Sequence, residues 1–353
     1  MRVLMLTPYP PMRGGIASYG GQAVEHLRGQ GHEVAVASPE PSDAEYVLDV
    51  RERGSGRSLR KLVRGFDRLV VQFQPELLGD PGSGRAARGW ALLRLTAGVR
   101  AARSVELYVH EVDPGQGMLA PLVRAITRPL FAAADVVNVH TKRESDDLSR
   151  AFKIDKSRIR IVSQGEYLRP RTSATQAAAR AVLGVPGDRP VFLAIGFLHP
   201  RKGFDLAIRG FAEMRSDRAR LYVVGSMWRD DDVARDHVRE LRSLADQTAG
   251  VQLREGYLSD EDFDRWIVAA DVLVLPYRVG WSSNVMERGL LYDRPVIMSD
   301  VGGMSEQGTR RRGVTLFRDE GELVRALREA EAKILTGSGG AAPMGRGDQP
   351  SSH

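Results

Sequence analysis

An α/β chain with two doubly wound domains is what the sequence predicts, and three observations carry that expectation. Short β-branched runs alternate with longer amphipathic stretches along 353 residues, the pattern of parallel strands covered by helices. Such a length exceeds what one hydrophobic core usually organises, so it divides most simply into two domains of roughly 150 to 200 residues each. The phrase Phe131-Ala132-Ala133-Ala134-Asp135-Val136-Val137 returns in outline as Val268-Ala269-Ala270-Asp271-Val272-Leu273-Val274. Each is a small-residue helix end, an aspartate and a buried strand.

In the first half, strands are predicted at residues 3–7, 33–38, 69–72, 105–109, 135–139 and 158–162, with helices at 16–29, 86–102 and 142–152. A further short helix with Leu59, Leu62, Val63 and Phe66 sits in a basic stretch of Arg51, Arg53, Arg57, Arg60, Lys61, Arg64 and Arg68. Its charges read as a solvated helix face, with docking on an anionic membrane or an acidic acceptor as the alternative. Gly165, Pro170 and polar neighbours interrupt the periodicity over residues 164–177, which places one domain at 1–168 and the other at 169–335. The alternation then restarts, with strands at 191–195, 220–224, 251–253, 272–275, 295–298 and 314–317. Helices fill 204–214, 231–246, 260–269, 285–292 and 320–334. The segment 336–353 is Gly- and Ser-rich, too poor in apolar residues to order itself, and is expected to be a disordered tail.

Composition removes several function classes. With no cysteine there is no thiolate nucleophile, iron–sulfur cluster, disulfide framework or Cys-based zinc site, and a reducing cytoplasm suits the chain. The first seven residues are too short an apolar run for a signal peptide, and no run reaches the eighteen apolar residues of a membrane span, so any membrane contact is expected to be peripheral. A formal charge of +6 attracts phosphates or acidic lipids. It comes without the dense basic stripe interleaved with exposed aromatics that nucleic-acid binding needs, so no nucleic-acid partner is expected.

Three segments could carry chemistry. The first strand runs through Pro8-Tyr9-Pro10-Pro11 into Gly14 and Gly15 and then a helix. Either the glycines let a phosphate or sugar hydroxyl approach the helix N-terminus, or they serve a turn of unusual φ. Neither the G-x-G-x-x-G dinucleotide fingerprint nor a G-x-x-x-x-G-K-[ST] phosphate loop occurs. In the second half, Gly196-Phe197-Leu198-His199-Pro200-Arg201-Lys202-Gly203 sets two cations at the carboxyl end of a strand and before a helix, in outline a diphosphate site. Further on, the strand before Pro276 leads through Tyr277, Arg278, Val279, Gly280 and Trp281 to Ser282, Ser283 and Asn284, whose amides open a helix toward a phosphate. Glu287, one turn into that helix, could accept hydrogen bonds from two vicinal hydroxyls. Asp230, Asp231 and Asp232 read as a helix start rather than a metal motif. His110, beside Glu111 and Asp113, is too sparse a set for a metal and is kept as a sugar contact or positioning group.

Taken together, the Pro-Pro-x-x-Gly-Gly loop, Gly31-His32-Glu33-Val34, the Lys202-Gly203 step, the segment ending in Glu287, and Pro295-Val296 with Asp300-Val301-Gly302-Gly303 resemble the retaining glycosyltransferases of GT-B architecture, family 4. The resemblance spans residues 1 to about 330. It implies two Rossmann-like domains facing across a cleft, the second holding a nucleotide-sugar and the first the acceptor. Lys202 is similar to the lysine that neutralises the donor diphosphate, with Arg201 as a second cation, and Glu287 to the carboxylate that binds the ribose. Backbone at Ser282, Ser283 and Asn284 would hold the distal phosphate, Gly225 with Tyr257 and Leu258 would flank the base, and Gly14 and Gly15 would close over the diphosphate. His110 matches the histidine that contacts the transferred sugar. Three departures stand out: Val279 replaces the first of two family glutamates, Phe197 replaces an arginine, and the chain stops soon after Leu335, where a final helix usually returns to the first domain.

The expected reaction moves a sugar from a UDP- or GDP-linked donor to a saccharide, lipid-linked or small-metabolite hydroxyl with retention of configuration, without metal or other cofactor. The departing phosphate takes the acceptor proton, and closure excludes water. The alternatives are a nucleotide-sugar epimerase or hydrolase, which needs more carboxylates and cations than are seen, and a non-catalytic scaffold subunit, suggested by Val279.

Overall fold

The structure, a computed structural model, describes residues 1–79, 82–111, 120–227 and 229–337. The chain divides into two compact units, Met1–Leu168 and Arg169–His353. The expected tail lies, from residue 338 on, outside the described residues.

In the first unit the order is β1 (Arg2–Leu6), α1 (Gly15–Gly29), β2 (Glu33–Ser38), β3 (Tyr46–Val47), α2 (Ser55–Val63), β4 (Arg68–Phe73), α3 (Arg85–Val99), β5 (Val105–Val109), α4 (Ala120–Ala133), β6 (Val136–Val139), α5 (Lys142–Phe152) and β7 (Ile159–Ile161). These strands form one parallel sheet in the order β3-β2-β1-β4-β5-β6-β7. The second unit runs α6 (Gln176–Leu183), β8 (Val191–Ile195), α7 (Phe204–Met214), β9 (Arg220–Gly225), α8 (Asp232–Gln247), β10 (Val251–Glu255), α9 (Asp260–Ala269), β11 (Val272–Leu275), α10 (Asn284–Leu291), β12 (Val296–Ser299), α11 (Gly302–Thr309), β13 (Val314–Phe317) and α12 (Glu320–Leu335). Its parallel sheet has the order β10-β9-β8-β11-β12-β13. Winding reverses between β1 and β4 in one sheet and between β8 and β11 in the other, and such switch points open a crevice at the carboxyl ends of the strands.

The repeated aspartate phrase has a structural purpose. Asp135 Oδ2 accepts from the Val105 amide at 2.7 Å while the Asp135 amide donates back to the Val105 carbonyl at 2.9 Å. Asp271 does the same with Val191, at 2.8 and 2.9 Å. Asp67 repeats it with Arg2, at 2.7 and 2.8 Å. Each aspartate, just before its own strand, closes a two-bond ring on the first residue of the neighbouring parallel strand and so pins the register, where a slip would turn apolar side chains outward. The central pair β8 and β11 is apolar on both faces, as sheets covered by helices require. Every residue of β8 and β11 is buried.

Four described elements differ from the expectation. β3 is two residues long and carries no pattern. α4 contains Pro121 and Pro129, which mask its helical period, and α11 carries Gly302, Gly303 and Gly308 and reads as a turn. α6, capped by Thr175 accepting from the Ala178 amide, overlaps the expected join at residues 176 and 177 and has no expected element over the rest of its length. The three consecutive aspartates do open a helix: Asp231 accepts from the Ala234 amide at 2.8 Å, and Asp230 and Asp232 pair with Arg235.

Candidate active site

The second unit gathers its chemistry where β8 and β11 diverge. After β8, residues Pro200–Lys202 form a 3-10 turn capped by His199, whose Nδ1 accepts from the Arg201 amide at 3.1 Å. Burial, then the Arg201 charge, lowers the His199 pKa, which keeps that nitrogen free of a proton and able to accept. Gly203 ends the turn at φ +64, and a Cβ there would stand 2.0 Å from the Pro276 carbonyl, so only glycine lets the β8 and β11 loops touch. Gly225 has a similar reason: its Cβ would meet the Gly196 carbonyl at 1.7 Å. Lys202, part-buried, holds its Nζ 3.8 Å from the centroid of the Tyr277 ring, and no carboxylate among the described residues pairs with it. Arg201 is exposed beside it.

One element of this arrangement was not expected. Arg278, directly after Tyr277, makes a two-pronged ion pair with Asp205 in the first turn of α7, Nη1 to Oδ1 at 2.7 Å and Nη2 to Oδ2 at 2.6 Å. Its Nη1 also donates to the Pro200 carbonyl at 2.8 Å, and its amide donates to the Arg201 carbonyl at 2.9 Å. Arg278 thus staples the cationic turn to the end of β11. No local signal announces a pair 73 residues apart in sequence.

At the start of α10 the structure corrects one expectation. Ser283 is buried and caps the helix, its Oγ accepting from the Met286 amide at 3.2 Å. Its own amide donates to Gln307 Oε1 at 2.8 Å, so it is not open to a phosphate. The Asn284 amide follows in the first turn, where helical amides lack intrahelical partners, and the Asn284 side-chain Oδ1 is a buried acceptor without a partner among the described residues; Ser282 precedes it, part-buried. Glu287 is buried and already engaged, by Arg311 Nη2 at 3.0 Å and Gln307 Nε2 at 3.1 Å. Neither partner was expected from the sequence. Val279 is 54% exposed and offers no hydrogen bond where the resembling family has an acid. Tyr257 is exposed after β10, while Leu258 packs on the core.

In the first unit, Gly14 and Gly15 begin α1 with no side-chain cap, and a Cβ at either would meet nothing within 4 Å. Packing therefore does not require these glycines, and Gly14 at φ 160 is near-extended rather than left-handed, which leaves the helix start open. His110, one residue beyond β5, is buried. Its Nε2 lies 2.6 Å from Gln72 Oε1, its Nδ1 has no hydrogen-bond partner among the described residues, and Tyr19 packs edge-on at 4.9 Å. His140 stacks 5.5 Å away with Nδ1 on the Val162 carbonyl. Burial, then the His140 neighbour, pushes the His110 pKa well below 6.5, and burial takes His140 to about 4, so both rings are neutral. With Nε2–H donated to Gln72, His110 Nδ1 is an acceptor that no described residue engages. Asp113 lies outside the described residues. Among the described residues, no group of three or more His, Cys, Asp or Glu side chains could hold a metal ion, and no helix is long and apolar enough to cross a membrane.

Two doubly wound units, each with polar groups gathered at its switch point, have the layout of the GT-B architecture. The chain belongs to the glycosyl transferases group 1 family: that model matches residues 189–333, and the glycosyl transferase 4-like domain matches residues 14–165. It is 27% identical, over 98% of its length and 91% of the relative's, to the GDP-mannose-dependent alpha-(1-6)-phosphatidylinositol monomannoside mannosyltransferase of Mycobacterium tuberculosis. Its fold is similar to sucrose-phosphate synthase from Thermosynechococcus elongatus, with a TM-score of 0.69 at 19% identity over 95% of this chain and 90% of that one. The HepE protein of Anabaena in complex with UDP-glucose gives a TM-score of 0.70 at 15% identity over 96% and 91%.

Proposed function

We propose that the chain transfers a sugar from a UDP- or GDP-linked donor to an acceptor hydroxyl with retention of configuration. The observation that carries this is Lys202, held over Tyr277 at the second unit's switch point without a carboxylate partner and next to Arg201. In the reaction the bond between C1 of the sugar and the β-phosphate oxygen breaks, and its electron pair leaves with the diphosphate. The acceptor oxygen bonds to C1 on the same face, and its proton passes to the departing phosphate. Charge grows on that phosphate as the bond lengthens, so a fixed cation stabilises the transition state more than the ground state. Lys202 and Arg201 supply that charge, the open amides of α10 add to it, and Glu287 takes the ribose hydroxyls. Gly225, Tyr257 and Leu258 border the base, Gly14 and Gly15 admit the diphosphate to α1, and the bare Nδ1 of His110 accepts from a hydroxyl of the transferred sugar. The donor is the only small molecule this chemistry requires besides the acceptor.

The mycobacterial relative, whose name specifies GDP-mannose, and the UDP-glucose complex of HepE support the donor class. The test is calorimetric titration of UDP and GDP, followed by transfer from the matching sugar donor and assignment of the product anomer by NMR. One nucleotide binds, the anomer is retained, and Lys202→Ala lowers kcat by about 10²- to 10³-fold without changing the fold. An inverted product removes the retention mechanism, and full activity in Lys202→Ala removes the assignment of the cation.

A further inference from the structure

The basic stretch of residues 51–64 is not absorbed by the transfer site. In the structure it forms one wall of an open groove of about 650 Å³ between α2 and α3. The two helices come close because Gly56 lies against the Arg94 backbone and Gly98 against Leu59. On the α2 side, Arg53, Arg57 and Arg60 recur at helical spacing and are exposed, and none pairs with a carboxylate among the described residues. On the α3 side stand Trp90, 61% exposed, and Leu93, 47% exposed, with Arg94 between groove and backbone, donating to the Arg51 carbonyl at 2.9 Å. Lys61 and Arg64 extend the positive face, and Glu52 is the one acid in the stretch.

We propose that this groove and its rim dock the first unit onto an anionic phospholipid bilayer. A solvated helix face accounts for arginines alone, but not for an indole and a leucine left in water inside their ring. At a bilayer each part has its place: guanidiniums pair with lipid phosphates, while the indole and the leucine enter the headgroup and acyl boundary. A single apolar contact or a lone polybasic patch binds weakly, and the two together reinforce each other. Charge fixes the partner as anionic, and the exposed indole separates a bilayer from a soluble polyanion. The inference stands apart from the transfer reading, since it involves none of the residues assigned there.

Co-sedimentation of the whole protein with phosphatidylcholine vesicles, with and without phosphatidylglycerol, tests it. Binding occurs only to the anionic vesicles, weakens as salt rises, and moves tryptophan emission to the blue, a shift that Trp90→Phe abolishes. Each cation near an anionic surface contributes about five-fold, so Arg57→Gln with Arg60→Gln lowers partitioning by about thirty-fold. Both side chains are exposed, and an unchanged melting temperature shows that the variant is folded. Equal binding to neutral vesicles, no binding by the wild type, undiminished binding by the double variant, or capture of a soluble polyphosphate without sedimentation overturns the proposal.

Discussion

Arg278→Ala strands a carboxylate. Asp205 has a side chain 4% exposed, whereas Arg278 is 42% exposed, so losing the arginine leaves the Asp205 charge largely dry and without its ion-pair partner. Breaking a fully buried pair costs about 3–5 kcal/mol, and the open arginine end argues for the lower figure, about 3 kcal/mol. In a unit of this size each kcal/mol moves the melting temperature by about 2–4 °C, so a fall of about 6–12 °C is expected. The pH dependence identifies the cause. In the wild type, burial pushes the Asp205 carboxyl up, but the Arg278 hydrogen bonds and charge outweigh it and hold the group below the usual 3.8. Its stabilisation is therefore present above the unfolded value and lost as pH falls through the folded one. In Arg278→Ala burial, the largest influence, is opposed only by the neighbouring His237 and by the backbone amide of Asp205 itself, so the folded value is expected above the unfolded one, and the penalty is full at neutral pH but fades on acidification. The gap between the two proteins, read by calorimetry from neutral pH downward, closes toward about pH 4. Arg278→Lys recovers part of the stability, and Asp205→Asn costs only about 1 kcal/mol because the arginine can turn to water. A gap that does not change with pH, or Asp205→Asn as damaging as Arg278→Ala, would refute the reasoning.

Three further outcomes are expected. Glu287→Gln weakens nucleotide binding about ten-fold by titration calorimetry and spares the melting temperature, because Arg311 is 40% exposed and rehydrates. Asp271→Ala costs the second unit about 3–5 kcal/mol in denaturant unfolding, since it strands Arg180, 8% exposed, and releases the Val191 amide. The first unit loses stability as pH falls below 6.5, because the unfolded chain takes up protons that buried His110 and His140 refuse; with its pKa at about 4, His140 alone accounts for about 3 kcal/mol by pH 4, and His140→Gln flattens that slope.

Much of the fold was legible because parallel strands buried on both faces leave unbroken apolar runs, and residues 191–195, 204–214 and 260–269 match observed elements at both ends. α4 and α11 were hidden because their prolines and glycines oppose the local signal, and packing overrides it. The site divides in the same way. Lys202 and Gly203 stand out locally, since a cation and a left-handed turn follow a strand. What each group is free to do depends on partners far off in sequence: Gln307 takes the Ser283 amide from 24 residues away, and Gln72 fixes the His110 ring from 38 residues away. Residue types at a strand end reveal a site, whereas the donors left over for a ligand emerge only after the tertiary bonds are assigned.

That distinction bears on Lys202, the cation proposed above for the diphosphate. Asp205 lies three residues on in sequence and shares Arg278 Nη1 with the Pro200 carbonyl of the cationic turn, so its carboxylate, left unpaired, would oppose an incoming anion with its own field. Arg278 removes that competition by taking both Asp205 oxygens, and the same side chain holds the Pro200 carbonyl of the cationic turn. Tyr277 then receives the ammonium on its ring face, which orients the charge without neutralising it. The unexpected arginine is thus what leaves the expected lysine unneutralised. It also bears on Val279: with Arg278 turned toward α7, the next side chain is exposed and apolar, so in the proposed reaction a polar contact to the sugar comes from groups other than residue 279.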